Sequence, residues 1–147
     1  MGDKADWITN TPEGGSGGKP FQLLPSSPDA FIRSLDVWCE DSPGEHYSFA
    51  ALQIVWSTGE QSERIGTKSD VDHTYFTFSD DDKITHCTLR AGGRVDNVQF
   101  QTAQGRSYGP GGDGGDEYPQ MIGNGRLVGF VGNAGNGIDK AGTVFQK

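Results

Sequence analysis

Glycine and proline interrupt this sequence so often that no long helix fits between them. The chain has 147 residues, of which 23 are glycine and 7 are proline. Both residue types are unfavourable in helix interiors, and no segment shows the 3.6-residue apolar period of an amphipathic helix. Between the glycines lie short runs of alternating or continuous apolar residues, bounded by turn residues. This pattern predicts an all-β sandwich or barrel-like prism in a single domain.

The apolar runs also predict where the strands lie. These runs are residues 21–24, 31–38, 48–56, 73–78, 84–89, 94–101, 127–131 and 138–145, and a polar strand is predicted near residues 62–65. Trp38 and Trp56 fall inside two of them and are expected in the core. Residues 1–13 are polar and are predicted to form a flexible N-terminal segment, with the folded domain over residues 14–147.

Charge and cysteine content exclude several function classes. The formal net charge is −8 and no run of Lys or Arg occurs, which argues against nucleic acid and anionic membrane surfaces as partners. No apolar stretch reaches the ~20 residues of a membrane span, so membrane insertion is not expected. No secretory signal is visible, which predicts a cytoplasmic protein unless a leader was removed, in which case secretion is the alternative. Cys39 and Cys87 are too few for a disulfide scaffold, and buried thiols are favoured over a bridge between them.

A glycine-rich loop near the C-terminus, residues 132–139, ends in the carboxylate of Asp139. Its other positions are nearly free of side chains, so backbone N–H groups are open to a small polar ligand. A carboxylate beside free amides suits a sugar, whose hydroxyls both donate and accept hydrogen bonds. It would repel a phosphate, and a phosphate loop also needs a following helix, whereas a strand is predicted here. The alternative is a turn carboxylate that caps only local backbone.

The pattern of this loop recurs in the middle of the chain. Residues 92–96 and 135–139 both begin with glycine and end with a β-branched residue followed by Asp. Two glycine knots, residues 14–18 and 109–115, echo each other as well. The chain is therefore predicted to repeat a four-strand unit, with a fainter third copy near residues 44–48 in which Ser48 replaces the acid.

Several blocks of the sequence resemble the jacalin-related lectins. They are residues 14–21, 98–102, 107–110, 127–132 and 135–139, in the order and spacing of that family. The resemblance covers roughly residues 14–147 and implies a β-prism of three Greek-key four-stranded sheets with pseudo-threefold symmetry. It also implies a mannose-type carbohydrate-binding protein that is not an enzyme and uses no metal or cofactor.

The resemblance further implies a primary sugar site that joins the two glycine-rich loops. Its residues in this sequence are Gly18, Gly135, Asn136, Gly137, Ile138 and Asp139. In such a site Asp139 accepts hydrogen bonds from two sugar hydroxyls, and backbone N–H groups of both loops donate to sugar oxygens. The echoed loop gives a second candidate sugar site, at Ala91, Gly92, Gly93 and Asp96. The alternative for that loop is a tight turn in which Asp96 satisfies backbone N–H groups.

Two departures from the galactose-binding members favour mannose or glucose. Gly18 lies inside a continuous chain instead of at a cleaved amino terminus, and Asn136 and Gly137 offer no ring to stack on a sugar. Without that apolar contact, one site is expected to bind at about millimolar Kd, worth about −4 kcal/mol. Weak sites gain from multivalency, so a homo-oligomer is expected, with mannose-containing glycans or glycoproteins as partners.

Two other function classes remain open at the level of sequence. A β-prism that has lost sugar binding would serve as a protein-interaction or targeting module, for example of a pore-forming protein. A glycan hydrolase would need paired carboxylates about 5–10 Å apart, with Asp96 or Asp113 beside Asp139. The acidic clusters at residues 80–82 and 113–117 lack the ligand alternation of a calcium loop, so solvated turns are favoured there.

Overall fold

The computed structural model describes residues 6–41, 47–67 and 72–147. Within them the strands are β1 (Trp7–Thr9), β2 (Glu13–Gly14), β3 (Lys19–Leu23), β4 (Ile32–Asp41), β5 (Tyr47–Trp56), β6 (Ile65–Gly66), β7 (His73–Thr77), β8 (Ile84–Ala91), β9 (Val95–Thr102), β10 (Ser107–Tyr108), β11 (Asp116–Pro119), β12 (Leu127–Ala134) and β13 (Ile138–Gln146). Every predicted strand overlaps an observed one. The prediction misses β1, β2, β10 and β11, which are too short to show a period of two. Among the described residues, no helix has the length and apolar character needed to cross a bilayer.

The strands form three antiparallel sheets that share one topology. Sheet B has the order β6-β5-β4-β7 and sheet C the order β10-β9-β8-β11. In both, three consecutive strands pair and the fourth returns beside the first, which is a Greek key. Sheet A has the order β1-β13-β12-β3, and β1 and β2 pair with successive parts of β13, so they share one edge position. The structure confirms the predicted all-β prism of three Greek-key sheets.

The core lies between the three sheets and is apolar and aromatic. Four phenylalanines from all three sheets are at most 1 % exposed, namely Phe49, Phe100, Phe130 and Phe145. Phe76 packs edge-on against Phe100, with ring centroids 5.1 Å apart. The Trp56 indole is buried as predicted, and its Nε1 donates to the Val128 carbonyl oxygen at 2.7 Å. This bond ties sheet B to sheet A across the core, because a buried indole N–H needs an acceptor.

Each sheet carries a bulge at the same point of its central hairpin. The pairs that follow the register shift are Ala134 with Ile138, Ala91 with Val95, and Cys39 with Phe49. A bulge bends the strand and increases its twist, so the three central hairpins bend at equivalent residue pairs. The repeat predicted from the sequence is therefore present in the strand pairing.

The pairing of β4 with β5 shows which residue of the third copy is equivalent to Asp139 and Asp96, and it differs from the predicted one. Asp139 and Asp96 directly follow Ile138 and Val95, and the residue that follows Phe49 is Ala50. The prediction that Ser48 takes the place of the acid is therefore wrong by two positions. The reason is that the β4–β5 connection is longer than the other two, so sequence spacing alone does not give the equivalence. Residues 44–46 of the predicted copy lie outside the described residues.

The structure also differs from the predicted flexible segment over residues 1–13. Residues 1–5 lie outside the described residues, but β1 pairs with the end of β13 and β2 pairs with its beginning. Trp7 is 8 % exposed, and its Nε1 donates to the Pro28 carbonyl oxygen at 3.2 Å. The segment from Trp7 onward is ordered because it supplies the edge of sheet A, so the fold does not begin at residue 14.

Both cysteines are buried free thiols, as the sequence favours. Burial, with a smaller contribution from the Asp72 carboxylate, raises the pKa of Cys39 to about 12. Burial alone raises the pKa of Cys87 to about 12. Each thiol therefore acts as a small apolar side chain of the core.

Candidate functional site

The glycine knot at residues 14–18 lies along the first residues of β13. Gly14 pairs with Lys140, and the N–H of Gly15 donates to the Asp139 carbonyl oxygen at 2.8 Å. Gly14 has a φ of +139°, and a Cβ there would lie 2.2 Å from the same carbonyl oxygen. Only glycine allows the two backbones to approach this closely. The knot is thereby held directly against the strand that carries Asp139.

The Asp139 carboxylate faces the end of this knot. A Cβ added to Gly18 would lie 2.5 Å from Oδ2, and one added to Gly17 would lie 3.1 Å from Oδ1. The Asp139 side chain is half-buried, and within the described residues its carboxylate has no hydrogen-bond or ion-pair partner. Both oxygens therefore retain lone pairs that can accept hydrogen bonds from a ligand's hydroxyl groups.

The turn at residues 135–137 closes the other side of the carboxylate. The N–H of Gly135 donates to the Gly137 carbonyl oxygen at 2.9 Å, which makes the turn tight. A Cβ on Gly135 would lie 3.5 Å from the Gly18 Cα, so the turn and the knot are neighbours. Asn136 is exposed, and its carbonyl oxygen accepts from the N–H of Thr67 at 3.2 Å. The structure thus brings Gly18, Gly135, Asn136 and Asp139 together.

Two of the predicted residues lie deeper than the others. Ile138 is 0 % exposed, so its side chain anchors the turn in the core and only its backbone can face a ligand. Gly137 is also buried, and a Cβ there would lie 3.0 Å from Arg94 Nη1 and 3.1 Å from the Phe49 carbonyl oxygen. These two residues position the turn, whereas the exposed surface belongs to Gly135 and Asn136.

Sequence reasoning missed two side chains that support this site. The Asn133 Nδ2 donates to the Gly17 carbonyl oxygen at 3.4 Å, which ties β12 to the knot. Arg94 comes from the β8–β9 turn and packs beside Gly137. No local signal marks either residue.

The predicted second group of residues is also brought together. Gly92 and Asp96 meet at the β8–β9 turn, where a Cβ on Gly92 would lie 3.9 Å from the Asp96 Oδ2. Ala91 is buried and Gly93 is exposed beside them. Asp96 faces Gly115 of the second glycine knot, whereas Asp139 faces Gly18 of the first. Each carboxylate thus faces its own glycine knot.

Metal binding has no support in the part of the chain that the structure describes. No group of three or more His, Cys, Asp or Glu side chains is placed there to hold an ion. The strand β13 begins directly after the turn, at Ile138, where a phosphate-binding loop would have a helix. The chemistry on offer is hydrogen bonding by a carboxylate and by backbone groups.

Solved structures with the same fold are lectins and an immune protein. A lamprey immune protein is 22 % identical to this chain, with a TM-score of 0.81. The match covers 97 % of this chain but only 45 % of the lamprey protein, so this chain spans less than half of that protein's length. Artocarpin in complex with mannotriose is 21 % identical with a TM-score of 0.75, covering 92 % of this chain and 95 % of its own. The mannose-binding lectin from Champedak is 22 % identical with a TM-score of 0.73, covering 96 % and 97 %. No curated protein sequence is significantly similar to the chain.

The three Greek-key sheets define a β-prism, and the loops at residues 14–18 and 135–139 bring glycines and a carboxylate together at its end. The Jacalin-like lectin domain matches residues 10–144, and the chain belongs to this family. The family consists of carbohydrate-binding domains and not of enzymes. The match begins at residue 10, before residue 14, and therefore includes the strand β2.

Proposed function

We propose that the chain binds mannose- or glucose-type glycans at the primary site, defined as the knot at residues 14–18 and the turn at residues 135–139. The observation that carries the proposal is the Asp139 carboxylate, which stands between Gly18 and Gly135 with its lone pairs available. In this proposal Asp139 accepts hydrogen bonds from two neighbouring sugar hydroxyls. Backbone N–H groups of the turn and the knot donate to sugar oxygens.

The energetics favour Asp139 as the dominant contact. A hydrogen bond to a charged group contributes about 1.5–3 kcal/mol, compared with about 0.5–1.5 kcal/mol for a neutral one. Asn136 and the glycines add hydrogen bonds but little apolar surface. A single site is therefore expected to bind in the millimolar range, and useful avidity requires several sites, in an oligomer or within one chain.

The proposed sugar class rests on two departures from the galactose-binding members of the family and on the similar solved structures. Gly18 lies within a continuous chain and the exposed turn carries Asn136 without an aromatic ring, and both features favour mannose or glucose over galactose. Two of the similar structures are a mannotriose complex and a mannose-binding lectin. At 21–22 % identity these proteins support the fold, and they suggest the ligand class for a direct test.

The proposal is tested on a glycan array with the wild type, Asp139→Asn and a matched control, Asp81→Asn. Asp81 is an exposed carboxylate just before Ile84, at the opposite end of β8 from Ala91. We expect the wild type to bind mannose-rich glycans and Asp139→Asn to lose about 10- to 150-fold in affinity, which corresponds to 1.5–3 kcal/mol. Asp81→Asn should bind like the wild type.

The outcomes separate the competing functions. Unchanged binding by Asp139→Asn, in a variant whose near-UV circular dichroism matches the wild type, would show that the site is elsewhere. A wild type that binds no glycan but forms a stable protein complex would favour the interaction-module function. Release of a free sugar from an oligosaccharide would instead indicate a hydrolase.

A further inference from the structure

Two asparagines of this chain stand in identical local sequences. Asn124 and Asn136 are each the middle residue of a Gly-Asn-Gly tripeptide. An asparagine that precedes glycine is open to deamidation, because glycine has no side chain to hinder the attack of its backbone nitrogen on the asparagine side chain. The reaction needs a nitrogen that can lose its proton and a side-chain amide that can turn toward it. Since the two tripeptides are the same, the fold decides which of them reacts.

The fold holds the first tripeptide at every reacting group. The Asn124 Nδ2 donates to Gln146 Oε1 at 3.1 Å, and its Oδ1 accepts from the Arg126 N–H at 2.9 Å. The Gly125 nitrogen, which would attack, donates its hydrogen to the Ile122 carbonyl oxygen at 2.7 Å. Deamidation at Asn124 therefore has to break three hydrogen bonds before the nitrogen and the side-chain amide can meet.

The fold leaves the second tripeptide open at the same groups. Asn136 is exposed, and its backbone carbonyl oxygen accepts from the Thr67 N–H at 3.2 Å. Within the part of the chain that the structure describes, neither the Asn136 side-chain amide nor the Gly137 N–H makes a hydrogen bond. Gly125 and Gly137 are both buried, so exposure of the glycine does not separate the two tripeptides. The difference between them is the hydrogen bonding of the reacting groups.

We propose that Asn136 is a site of spontaneous deamidation in the folded protein. The Gly137 nitrogen loses its proton to a base in the solvent and forms a bond to the Asn136 Cγ. The bond from Cγ to Nδ2 then breaks, and Nδ2 takes up a proton from the solvent and leaves as ammonia. Water opens the resulting succinimide ring at either carbonyl, which gives aspartate or isoaspartate. One water is consumed and one ammonia is released, so the reaction balances without an oxidant or a cofactor.

Both products alter the turn that closes the primary site. Aspartate adds a second negative charge to the turn that precedes Asp139 and removes the two N–H donors of the amide. Isoaspartate continues the backbone through Cγ, so the turn becomes one methylene longer. The hydrogen bond from the Gly135 N–H to the Gly137 carbonyl oxygen, at 2.9 Å, spans the altered residue. We therefore expect modified molecules to bind glycans more weakly, a consequence that rests on the proposed function, whereas the modification itself does not.

The test follows both asparagines by mass spectrometry while the purified wild type is kept in mildly alkaline buffer. Trypsin cleaves after Arg126, so the two sites fall in separate peptides, residues 107–126 and 127–140. Fragmentation assigns the mass change to one residue, and an isoaspartyl methyltransferase assay detects isoaspartate. We expect deamidation at Asn136 to be at least about tenfold faster than at Asn124, because three hydrogen bonds protect Asn124. Equal rates, or a faster rate at Asn124, would overturn the proposal.

Two controls show whether the fold is the cause and Asn136 the site. In concentrated urea both tripeptides are free, so the two rates should become similar. A tenfold difference that persisted in urea would refute the structural argument. Asn136→Gln is the matched variant, because a glutamine has to close a larger ring. Its isoaspartate signal should fall to the level that Asn124 supplies, and an undiminished signal would show that the modification lies elsewhere.

A titration with methyl α-mannoside during the incubation separates this proposal from the proposed function. A sugar bound at the primary site covers the turn, so the rate at Asn136 should fall as the sugar concentration rises, and the midpoint gives the Kd. The rate at Asn124 should not change. Deamidation at Asn136 that is unaffected by the sugar would count against the primary site and leave the modification standing. Absence of deamidation at Asn136, with glycan binding on the array, would refute the modification and leave the primary site standing.

Discussion

The sharpest test of the primary site is Gly18→Ala, compared with Gly59→Ala. Both glycines have positive φ, +78° and +93°, so an added methyl strains either backbone. This strain is about 1–2 kcal/mol for an L-residue in the left-handed region. Nothing lies within 4 Å of a Cβ on Gly59, whereas one on Gly18 would lie 2.5 Å from Asp139 Oδ2 and 2.6 Å from the Ala134 carbonyl carbon. The destabilisation of the Gly59→Ala variant therefore reports the cost of backbone strain alone.

The expected magnitudes follow from that difference. Gly59→Ala should lower the free energy of unfolding by about 1–2 kcal/mol, which for a chain of this size is about 2–8 °C in Tm. Gly18→Ala should cost about 1–3 kcal/mol more, because overpacking must push the knot away from backbone as well as from a side chain. It should also abolish glycan binding, because the methyl group occupies the space in front of the carboxylate. Gly59→Ala should bind as the wild type does.

Urea unfolding at constant pH gives the stability difference, and the glycan array or the methyl α-mannoside titration gives the binding. Equal destabilisation by the two variants, with glycan binding intact in Gly18→Ala, would refute the close approach of the knot to Asp139. Near-UV circular dichroism shows whether each variant keeps the tertiary structure of the wild type, so that a loss of binding is not confused with a loss of structure.

The remaining predictions concern the scaffold. Asn10→Ala should cost about 1–3 kcal/mol of unfolding free energy by urea titration without changing glycan binding, because the Asn10 side chain bonds both the N–H and the carbonyl of Met121, at 2.8 and 3.0 Å. Stability should fall as pH rises from about 9 toward 12. Burial is the main cause that raises the pKa of Cys39, Cys87 and Tyr108 to about 12, so the unfolded state releases these protons first. Tyr108→Phe should make that decline shallower. Both thiols should resist a thiol reagent at pH 8 and react only after denaturation.

The strand pattern was predictable from the sequence because Gly and Pro leave only short apolar runs. The runs around Leu52 and Phe100 carry enough alternation to mark β5 and β9. Edge strands were not predictable in the same way, since β2 and β10 contain two residues each and are fixed by their partners. Trp7 shows the same limit, because its burial depends on Pro28 and on sheet A, which no local pattern reveals.

The candidate site was predictable where it depends on glycine and an acid. Gly18 and Asp139 stand out in the sequence, and the structure brings them together across the length of the chain. Their supports were not predictable, because Asn133 and Arg94 act through contacts between different strands and corners. The prediction that Ser48 replaces the acid was wrong for the same reason. Which residues of the repeats are equivalent depends on how the strands pair after the bulge, and not on distance along the sequence.

The pairing of sheet A has a consequence for when Gly18 and Asp139 come together. Sheets B and C each come from one continuous segment, β4 to β7 and β8 to β11. Sheet A instead joins the local β12–β13 hairpin to the N-terminal strands, pairing Gly14 with Lys140 and Phe21 with Gly132, so these pairings require a very long loop to close. Such closure is entropically costly, so we expect it to follow the formation of the local hairpins. Asp139 lies in β13 and Gly18 directly precedes β3, so we expect a nascent or partly folded chain to lack the close approach of Gly18 to Asp139. Possession of that site is therefore a mark of a chain that has completed its folding.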